Sequence, residues 1–461
     1  MPSDRQDVQS PPAAGILPKQ TLFTVLTRTC DRAVRRYLPD PLVLAILFTM
    51  VVFVLGIALT DTTPVEMVAY WGDGFWELLT LAMQFVLVLC TGFILAISPA
   101  FKKLLGALAR LSSTPGSAIV NVTLVALGAS WINWAFGLVI GALYAKEMVR
   151  QVPTVNYRLL IASAYSGFIV WHGGLGGSIP LLINTPGHFA EGVMGLIPTS
   201  ETIFSGYNLF IVIALFILVP IANRMMGAQS LDSETAGPEV DAESDAESEQ
   251  PKAVQSPAER IENSMVVSML AGALGFAFLV YYFATSGFNL NINIVNFVFL
   301  TLAIVFSGTP RRFLDGLQMA VKGTGGIIVQ FPFYAGIMGM MAGSGLAAII
   351  SSWFVSISTV ETLPLFAFLS AGFLNVFIPS GGGQWAVQGP IMLQAAQELG
   401  VDLSRAAMAV AWGDAWTNMI QPFWALPALA IAGLNARDIM GYCLMILLIS
   451  GIVIAIGLSF L

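Results

Sequence analysis

Long apolar runs separated by short polar loops follow one another from residue 41 to the end of the chain. Four of these runs approach or exceed the roughly 20 residues that a helix needs to cross about 30 Å of hydrocarbon; they are 41–60, 203–223, 264–283 and 439–460. Strands of transmembrane barrels are instead short and alternate apolar with polar residues. The pattern therefore predicts an all-α polytopic membrane protein.

The composition excludes the soluble classes of protein. Of the 461 residues, 56% are hydrophobic and 10% are charged, whereas soluble proteins carry about 25% charged residues. The net charge of −7 argues against nucleic acid as a partner. Cys30, Cys90 and Cys443 are too scattered for a metal site or a disulfide framework. Because the sequence shows no phosphate-binding loop and no nucleophile–base motif, we expect neither an enzyme nor a resident cofactor.

A polar segment, 226–262, divides the membrane part into two halves, 41–225 and 263–461. The segment is rich in Glu, Ser, Ala and Pro and cannot bury enough apolar surface to order itself, so we expect a disordered acidic cytoplasmic linker. Residues 1–40 include a basic amphipathic segment with four arginines between positions 28 and 36. Positive residues near spans favour the cytoplasmic side, which places this N-terminal tail in the cytoplasm.

The loop charges of the two halves are exchanged. Loop 98–115 carries two lysines and an arginine, whereas the corresponding loop 343–362 has no Lys or Arg. Conversely, loop 61–74 has none, whereas loop 307–316 carries two arginines. Because positive loops favour the cytoplasm, the exchange predicts two repeats that are inverted relative to each other. Inverted repeats are typical of many secondary transporters.

Each half contains two interrupted apolar segments. Segment 117–145 begins and ends beside positive residues and is too short for two spans, so we expect a re-entrant hairpin there and in the corresponding segment 363–390. Segments 158–186 and 405–431 are long enough to cross the membrane but contain Gly-rich or Pro-containing polar runs. We therefore expect two broken transmembrane helices.

The four interruptions form the predicted site, because non-helical backbone at membrane depth survives only inside protein or beside a water-filled cavity. A single shift along the chain superposes Asn133 of the first hairpin tip on Asn375 of the second. The four interruptions contain no Lys or Arg, so an anion would be held by helix N-termini, backbone N–H groups and amide or hydroxyl donors. Tryptophans clustered there suggest an apolar wall for a short alkyl tail. The predicted substrate-binding residues are Trp131, Asn133, Trp134, His172, Gly173, Gly174, Asn375, Ser380, Gly381, Gly382, Gly383, Gln384, Trp385, Trp416, Thr417 and Asn418.

Asp414 is the one carboxylate well inside an apolar segment, and intramembrane ionisable groups are costly and usually functional. The shift that superposes the two hairpin asparagines also makes His172 the counterpart of Asp414 in the first half. We predict that Asp414 couples transport to a cation, with Thr417 and Asn418 beside it. The cation is a sodium ion or a proton, and a purely structural acid that caps neighbouring amides is the alternative.

Four runs resemble the bacterial short-chain fatty acid transporters, the acetoacetate and butyrate permease type; they are WINWAFG at 131–137, WHGGLGGSIP at 171–180, NVFIPSGGGQWAVQGP at 375–390 and WGDAWTN at 412–418. The resemblance covers nearly the whole chain. That family is similar to the larger ion-transporter superfamily, whose members are typically dimers with a scaffold part and a moving transport part. The resemblance implies a homodimer with elevator-type alternating access, in which two hairpin tips and two broken helices hold an anionic substrate.

We therefore predict a cation-coupled symporter of the bacterial inner membrane that carries butyrate, acetoacetate and similar monocarboxylates. A dianion would more readily call for arginine, because bidentate pairing is the strong solution for such charges. Two alternatives stay open, namely a carrier of another small organic anion, such as a dicarboxylate or an amino acid, and an intramembrane enzyme or sensor.

Overall fold

The computed structural model describes residues 41–229, 256–376 and 378–460, and every regular element in these ranges is a helix. The predicted tail 1–40 and most of the predicted linker 226–262 lie outside the described residues. The helices of the first half are α1 (Pro41–Leu59), α2 (Pro64–Gly74), α3 (Leu79–Ile97), α4 (Pro99–Ala109), α5 (Pro115–Ile132), α6 (Trp134–Gln151), α7 (Tyr157–Ser166), α8 (Ser178–Leu182), α9 (Glu191–Met194) and α10 (Gly206–Gln229).

The second half repeats this order after a short α11 and one additional span, α12. Its helices are α11 (Pro257–Glu262), α12 (Met265–Ser286), α13 (Ile292–Ser307), α14 (Pro310–Val321), α15 (Gly325–Gly343), α16 (Leu346–Ile357), α17 (Leu363–Leu374), α18 (Gly381–Leu399), α19 (Leu403–Thr417), α20 (Pro422–Ala432) and α21 (Ala436–Phe460). Short 3₁₀ turns, Gly167–Gly173 and Asn418–Ile420, follow α7 and α19. The predicted broken helices are therefore α7–α8 and α19–α20.

Threonine and proline mark the starts of equivalent helices in the two halves. Thr63 precedes Pro64 of α2 and accepts a hydrogen bond from the Glu66 N–H. Thr309 precedes Pro310 of α14 in the same way and accepts from the Arg312 N–H. A threonine cap takes up a backbone donor that the helix cannot satisfy itself, and proline at the first position has no N–H to satisfy. Local sequence thus fixes where these short helices begin.

The two halves interlock reciprocally. Helices α1 and α2 of the first half pack on α15 of the second, while α13 and α14 of the second half pack on α3 of the first. In the first of these contacts Gly74 lies against the backbone of Gly339. In the second, Gly316 lies against Ile94. We call α1–α3 and α13–α15 the scaffold, because these helices surround the crossing between α3 and α15.

The equivalent helices α3 and α15 run in opposite directions. Gly316, before α15, faces Ile94 and Ile97 at the end of α3, whereas Phe331, farther along the chain, faces Phe85 near its start. Contacts that advance along the chain from α14 into α15 therefore go back along α3. The predicted inverted repeat is confirmed, and with it the fold class: an all-α polytopic membrane protein with re-entrant hairpins and broken helices.

The register of the repeat differs from the one that the superposed identities predicted. Trp134 begins α6, and Gly381 begins the equivalent helix α18. The start of α18 thus lies more than one helical turn farther along the chain than the predicted register would place it. The structural counterpart of Asn133 is Ser380, since each is the N-cap of its helix. The pairing of Asn133 with Asn375 was wrong by the same amount.

Both predicted hairpins are antiparallel helix pairs whose arms are longer than expected. In the first hairpin, Gly137 of α6 lies against Ser130 of α5. In the second, Gln388 Nε2 of α18 donates to Ser370 Oγ of α17 at 3.0 Å. The predicted ranges ended at 145 and 390, whereas α6 continues to Gln151 and α18 to Leu399.

Burial separates the interior elements from those that face outward. Among the described residues, eight helical segments are long and apolar enough to cross a membrane. In an apolar 18-residue stretch of the broken segment Tyr157–Leu182, 94% of the residues are buried, whereas in such a stretch of α12 only 22% are. The broken helix is therefore central, and the outward apolar surface of α12 suits contact with lipid tails.

The inverted topology predicts that two loops at equivalent positions face opposite sides of the membrane. Leu111, between α4 and α5, is 74% exposed, and Val360, between α16 and α17, is 49% exposed. In a background without Cys30, Cys90 and Cys443, we expect Leu111→Cys to react with a membrane-impermeant maleimide from the cytoplasmic side only. Val360→Cys should react from the opposite side only, and labelling of both from one side would contradict the inversion.

Candidate functional site

A small cavity of about 30 Å³ lies where the two hairpins, the two broken helices and the scaffold meet. The first turns of α6, α8, α18 and α20 reach it, and α3 and α15 close it from the scaffold side. Its lining residues are Phe85, Trp134, Trp171, Ser178, Ile327, Phe331, Ser380, Gly381 and Trp424. Of the predicted site residues, the structure brings Trp134, Ser380 and Gly381 to this cavity.

Three half-helices of at least 11 residues begin at the cavity. Trp134 is the first residue of α6, Gly381 is the first of α18, and Trp424 is the third of α20. The amino end of a helix carries a partial positive charge and N–H groups without partners inside the helix. Three such ends around one cavity create a setting for a negative charge, although none of the nine lining residues is charged.

The caps of two of these helices leave their first donors available. Asn133 Oδ1 accepts a hydrogen bond from the Phe136 N–H at 3.0 Å, and Ser380 Oγ accepts from the Gly383 N–H at 3.4 Å. Each cap thus binds the donor of the third helical residue. The N–H groups of the first two residues have no carbonyl one turn earlier within the helix. The side-chain oxygen of Asn133 is therefore occupied as a helix cap, and Asn133 does not line the cavity.

Aromatic rings form most of the cavity wall. The ring of Trp134 lies edge-on to Trp424, with centroids 5.3 Å apart, and 6.3 Å from the ring of Trp171. Phe85 and Phe331 meet on the scaffold side with centroids 5.5 Å apart. Small polar groups at the helix starts and a wall of rings therefore give the cavity both hydrogen-bond donors and apolar ring surface.

A buried pair of ionisable side chains lies directly behind the cavity. His172 Nε2 is 3.2 Å from Asp414 Oδ2, and both side chains are fully buried. Gly381 abuts the same His172 nitrogen, so that an added Cβ there would overlap it. The first broken helix, the second broken helix and the second hairpin tip therefore meet at this pair. Apart from this contact, neither side chain has a hydrogen-bond partner among the described residues.

Asp414 lies within helix α19 and not in the break where the sequence pattern had placed it. The helix continues to Thr417, and the 3₁₀ turn begins at Asn418. Proline has no backbone N–H with which to continue the hydrogen bonds of a preceding helix. The α-helix ends at Thr417, and the next helix, α20, begins at Pro422.

Asn418 links the two broken helices. Its Oδ1 accepts a hydrogen bond from Trp171 Nε1 at 3.0 Å, and its backbone carbonyl accepts one from the Tyr165 hydroxyl. Neither Tyr165 nor Gln421, whose Nε2 donates to the Asn375 carbonyl, was predicted. Both belong to the polar network at the break, and a tyrosine in an otherwise apolar run was the one signal for Tyr165.

Asn375 and Thr417 connect the second hairpin to α19. Asn375 Nδ2 donates to the Asp414 carbonyl at 2.8 Å and to Thr417 Oγ1 at 2.9 Å. Thr417 Oγ1 in turn donates to the Gly372 carbonyl at 2.9 Å. These polar atoms are engaged within the protein, whereas Asn375 Oδ1 is buried without a donor among the described residues.

Each of the three consecutive glycines at 381–383 allows a different side chain to approach the backbone closely. Gly381 lies against His172 and Trp171, Gly382 against the ring of Phe85, and Gly383 against the ring of Tyr334. A side chain at any of the three positions would overlap these groups. The run therefore allows close packing of the hairpin tip, and only its first residue also lines the cavity.

The other predicted residues lie around the cavity without lining it. Trp131 Nε1 donates to the Gly173 carbonyl, and the Gly174 Cα faces Trp131, so these three join the first hairpin to the first break. Gln384 Nε2 donates to the Ala371 carbonyl within the second hairpin. Trp385 is fully buried, and Trp416 Nε1 donates to the Leu447 carbonyl on α21.

Several residues of the site carried no signal in the sequence. Phe85, Ile327 and Phe331 stand in ordinary apolar runs, where a ring that lines a cavity is indistinguishable from one that faces lipid. Asn208 of α10 donates to the Gly173 carbonyl and accepts from Trp412 Nε1, which fixes the first break against α19. Within the described ranges, no group of three or more His, Cys, Asp or Glu side chains forms a metal-ion cluster.

Comparison with known proteins shows which family the sequence matches. The model of the family described as "Short chain fatty acid transporter" matches residues 22–461. A protein of Escherichia coli (strain K12) named for short-chain fatty acid transport is 46% identical over 435 residues, which cover 94% of this chain and 99% of that protein. A protein of the same name from Haemophilus influenzae Rd is 44% identical over 95% of this chain and all of that protein. Both are named for transport and not for an enzymatic reaction.

A solved structure with a similar fold is the YdaH transporter of Alcanivorax borkumensis, which was described as having an unusual topology. The TM-score is 0.57, and the superposition covers 91% of this chain and 97% of that one. The sequences are 17% identical, so this likeness concerns the fold.

The close contact at Gly174 predicts a loss of stability on substitution. An added Cβ at Gly174 would overlap the Trp131 carbonyl oxygen, whereas one at Gly128, in the middle of α5, would meet nothing within 4 Å. Overpacking of this kind costs about 1–3 kcal/mol. We expect Gly174→Ala to lower the free energy of unfolding by that amount, measured by denaturation of the detergent-solubilised protein. Gly128→Ala is the matched control and should be neutral or slightly stabilising; equal effects of the two would contradict the contact.

Proposed function

The chain belongs to the short chain fatty acid transporter family, and we propose that it carries butyrate, acetoacetate and similar monocarboxylates across the bacterial inner membrane. The multi-pass helical fold and the central cavity are those of a carrier. We further propose that a cation moves with each anion and that the transporter works as a homodimer with its N-terminus in the cytoplasm.

The convergence of helix amino ends on an uncharged aromatic cavity carries this proposal. The first turns of α6, α18 and α20 provide backbone donors and a favourable potential for one carboxylate. No arginine or lysine lines the cavity to balance a second negative charge. A dicarboxylate would therefore leave one carboxylate against the aromatic wall, where desolvation without pairing is costly.

The aromatic wall supplies affinity for the tail of the acid. Trp134, Trp171 and Trp424 present ring surface beside the helix starts. Burial of each methylene group contributes about 0.8 kcal/mol, so two or three methylenes add a useful part of the binding energy of a small anion. A short-chain fatty acid combines the single charge and the short tail that this cavity fits.

We propose that Asp414 and His172 couple the movement of the anion to the cation. The pair lies behind Gly381, which lines the cavity, so the substrate and the coupling group share one wall. Apart from the His172 contact, the oxygens of Asp414 and Oδ1 of Asn375 have no hydrogen-bond donor among the described residues. Oxygen atoms of this kind suit a proton or a hard cation such as sodium. A tenfold concentration gradient of the cation would supply about 1.4 kcal/mol for each anion carried.

The position of the cavity also supports the proposed elevator-type movement. Its scaffold side is formed by α3 and α15, and its other side by the hairpins and broken helices. Movement of the hairpins and broken helices along the scaffold would carry the cavity from one side of the membrane to the other.

Direct binding of the substrate tests the proposal. We expect the purified protein to bind labelled butyrate and to lose it to unlabelled acetoacetate, while succinate competes at least about tenfold less well, a difference of about 1.4 kcal/mol. Ser380→Asp should weaken butyrate binding by at least the same factor, because it puts a negative charge at the start of α18 in place of the substrate carboxylate.

The matched control for this variant is Ser380→Asn. Asparagine and aspartate cap helices about as well as serine, so both variants preserve the start of α18 and differ only in charge. Ser380→Asn should bind butyrate nearly as well as the wild type. Stronger competition by succinate than by acetoacetate would overturn the proposed substrate, and equal binding by the two variants would remove the anion from this end of α18.

Removal of the buried carboxylate should uncouple transport. In proteoliposomes with an imposed sodium gradient or an imposed pH gradient, we expect Asp414→Asn to abolish accumulation of labelled butyrate under whichever gradient drives the wild type. Asp73→Asn, which changes an exposed carboxylate of α2, is the control and should accumulate butyrate normally. Protein-free liposomes correct for passive entry of the acid. Normal accumulation by Asp414→Asn would contradict the coupling role.

A further inference from the structure

Phe85 and Phe331 occupy equivalent positions in the two repeats and meet at the cavity. Phe85 is the seventh residue of α3, and Phe331 is the seventh residue of α15. Their ring centroids are 5.5 Å apart with an angle of 61° between the ring planes. Equivalent residues of an inverted repeat touch each other only near the axis that relates the halves. The two rings therefore close the cavity at the crossing of the scaffold helices.

The polar end and the apolar end of the cavity lie on different elements. Ser178, Ser380 and Gly381 belong to the first broken helix and the second hairpin, whereas Phe85, Ile327 and Phe331 belong to the scaffold. A carboxylate held by the starts of the half-helices would consequently direct its tail towards the scaffold. The phenylalanine pair is the surface that such a tail reaches.

Neither phenylalanine has space behind it. The ring of Phe85 lies against Gly382 so closely that an added Cβ there would overlap it. Phe331 is backed by Tyr334, with ring centroids 5.9 Å apart. Both phenylalanines are buried, with exposed fractions of 5% and 2%. A longer tail could not push the rings aside without displacing the hairpin tip or α15.

We infer that Phe85 and Phe331 together set the longest alkyl chain that the transporter accepts. This inference rests on the proposed function, because it assumes a monocarboxylate bound at the helix starts. Each methylene that finds room beside the rings raises the affinity about fourfold. A tail that extends beyond the pair must overlap packed side chains, which is destabilising. The affinity should therefore rise with chain length and then fall.

Shortening either phenylalanine tests the inference. In the purified full-length protein, dissociation constants of acetate, butyrate, hexanoate and octanoate are measured by competition with labelled butyrate. We expect Phe85→Leu and Phe331→Leu to strengthen hexanoate binding about sixteenfold relative to the wild type, the gain expected from two additional accommodated methylenes. The affinity for acetate should stay nearly constant, because its single methyl group does not reach the rings.

Phe299→Leu is the matched control. Phe299 lies on scaffold helix α13 and is 5% exposed, like Phe85, but it does not line the cavity. This variant should keep the chain-length profile of the wild type. A uniform change for all four acids in Phe85→Leu and Phe331→Leu, or the same profile shift in Phe299→Leu, would overturn the inference while leaving the proposed function intact. Absence of binding of every acid by the wild type would instead overturn the proposed function, and this inference with it.

Discussion

A helix that begins inside a bilayer leaves its first backbone N–H groups without partners, and lipid cannot supply any. Helices α6, α18 and α20 all begin in this way at membrane depth. The fold satisfies the constraint by turning these starts inward, towards one another and behind the scaffold. Side-chain caps such as Asn133 and Ser380 take up some donors. The remaining N–H donors are grouped around one cavity. A bound anion could accept hydrogen bonds from them there and so offset the free-energy cost of leaving them without partners.

The inverted repeat explains why the helix starts converge, and the departures from its symmetry explain why the two sides of the cavity differ. Equivalent residues Phe85 and Phe331 preserve the symmetry on the scaffold side. At the helix starts the symmetry is broken, because Trp134 begins α6 whereas Gly381 begins α18. The small residue admits His172 to one side of the cavity, and the large one supplies an aromatic wall on the other. A symmetric backbone thus holds an asymmetric set of side chains.

Much of the architecture could be predicted from the sequence, because it follows from long-range patterns. Apolar runs locate the spans, exchanged loop charges indicate the inversion, and Gly- and Pro-containing runs locate the four interruptions. The register of the repeat could not be predicted in this way. Identical residues favoured a register that pairs Asn133 with Asn375, whereas the helix starts pair Asn133 with Ser380. The two registers differ because the two halves retain the order and the capping of their helices rather than particular side chains. The position of Phe85 and Phe331 at the cavity could not be predicted either, because in the sequence they resemble other buried phenylalanines. Only the crossing of α3 and α15 brings the two rings together there.

The contact between Gly381 and His172 connects the two parts of the proposed mechanism. The predicted register paired His172 with Asp414 as counterparts, whereas in the structure the two side chains meet because the two broken helices pack against each other. An anion at the start of α18 and a cation at Asp414 would therefore be separated by little more than the His172 ring. Opposite charges at such close range in a medium of low dielectric constant attract strongly, and the coupling is reciprocal, because each ligand raises the affinity for the other by the same factor. Under the proposed mechanism, favoured joint occupation of the two sites would require no relay through the protein, because the two ligands would share one wall.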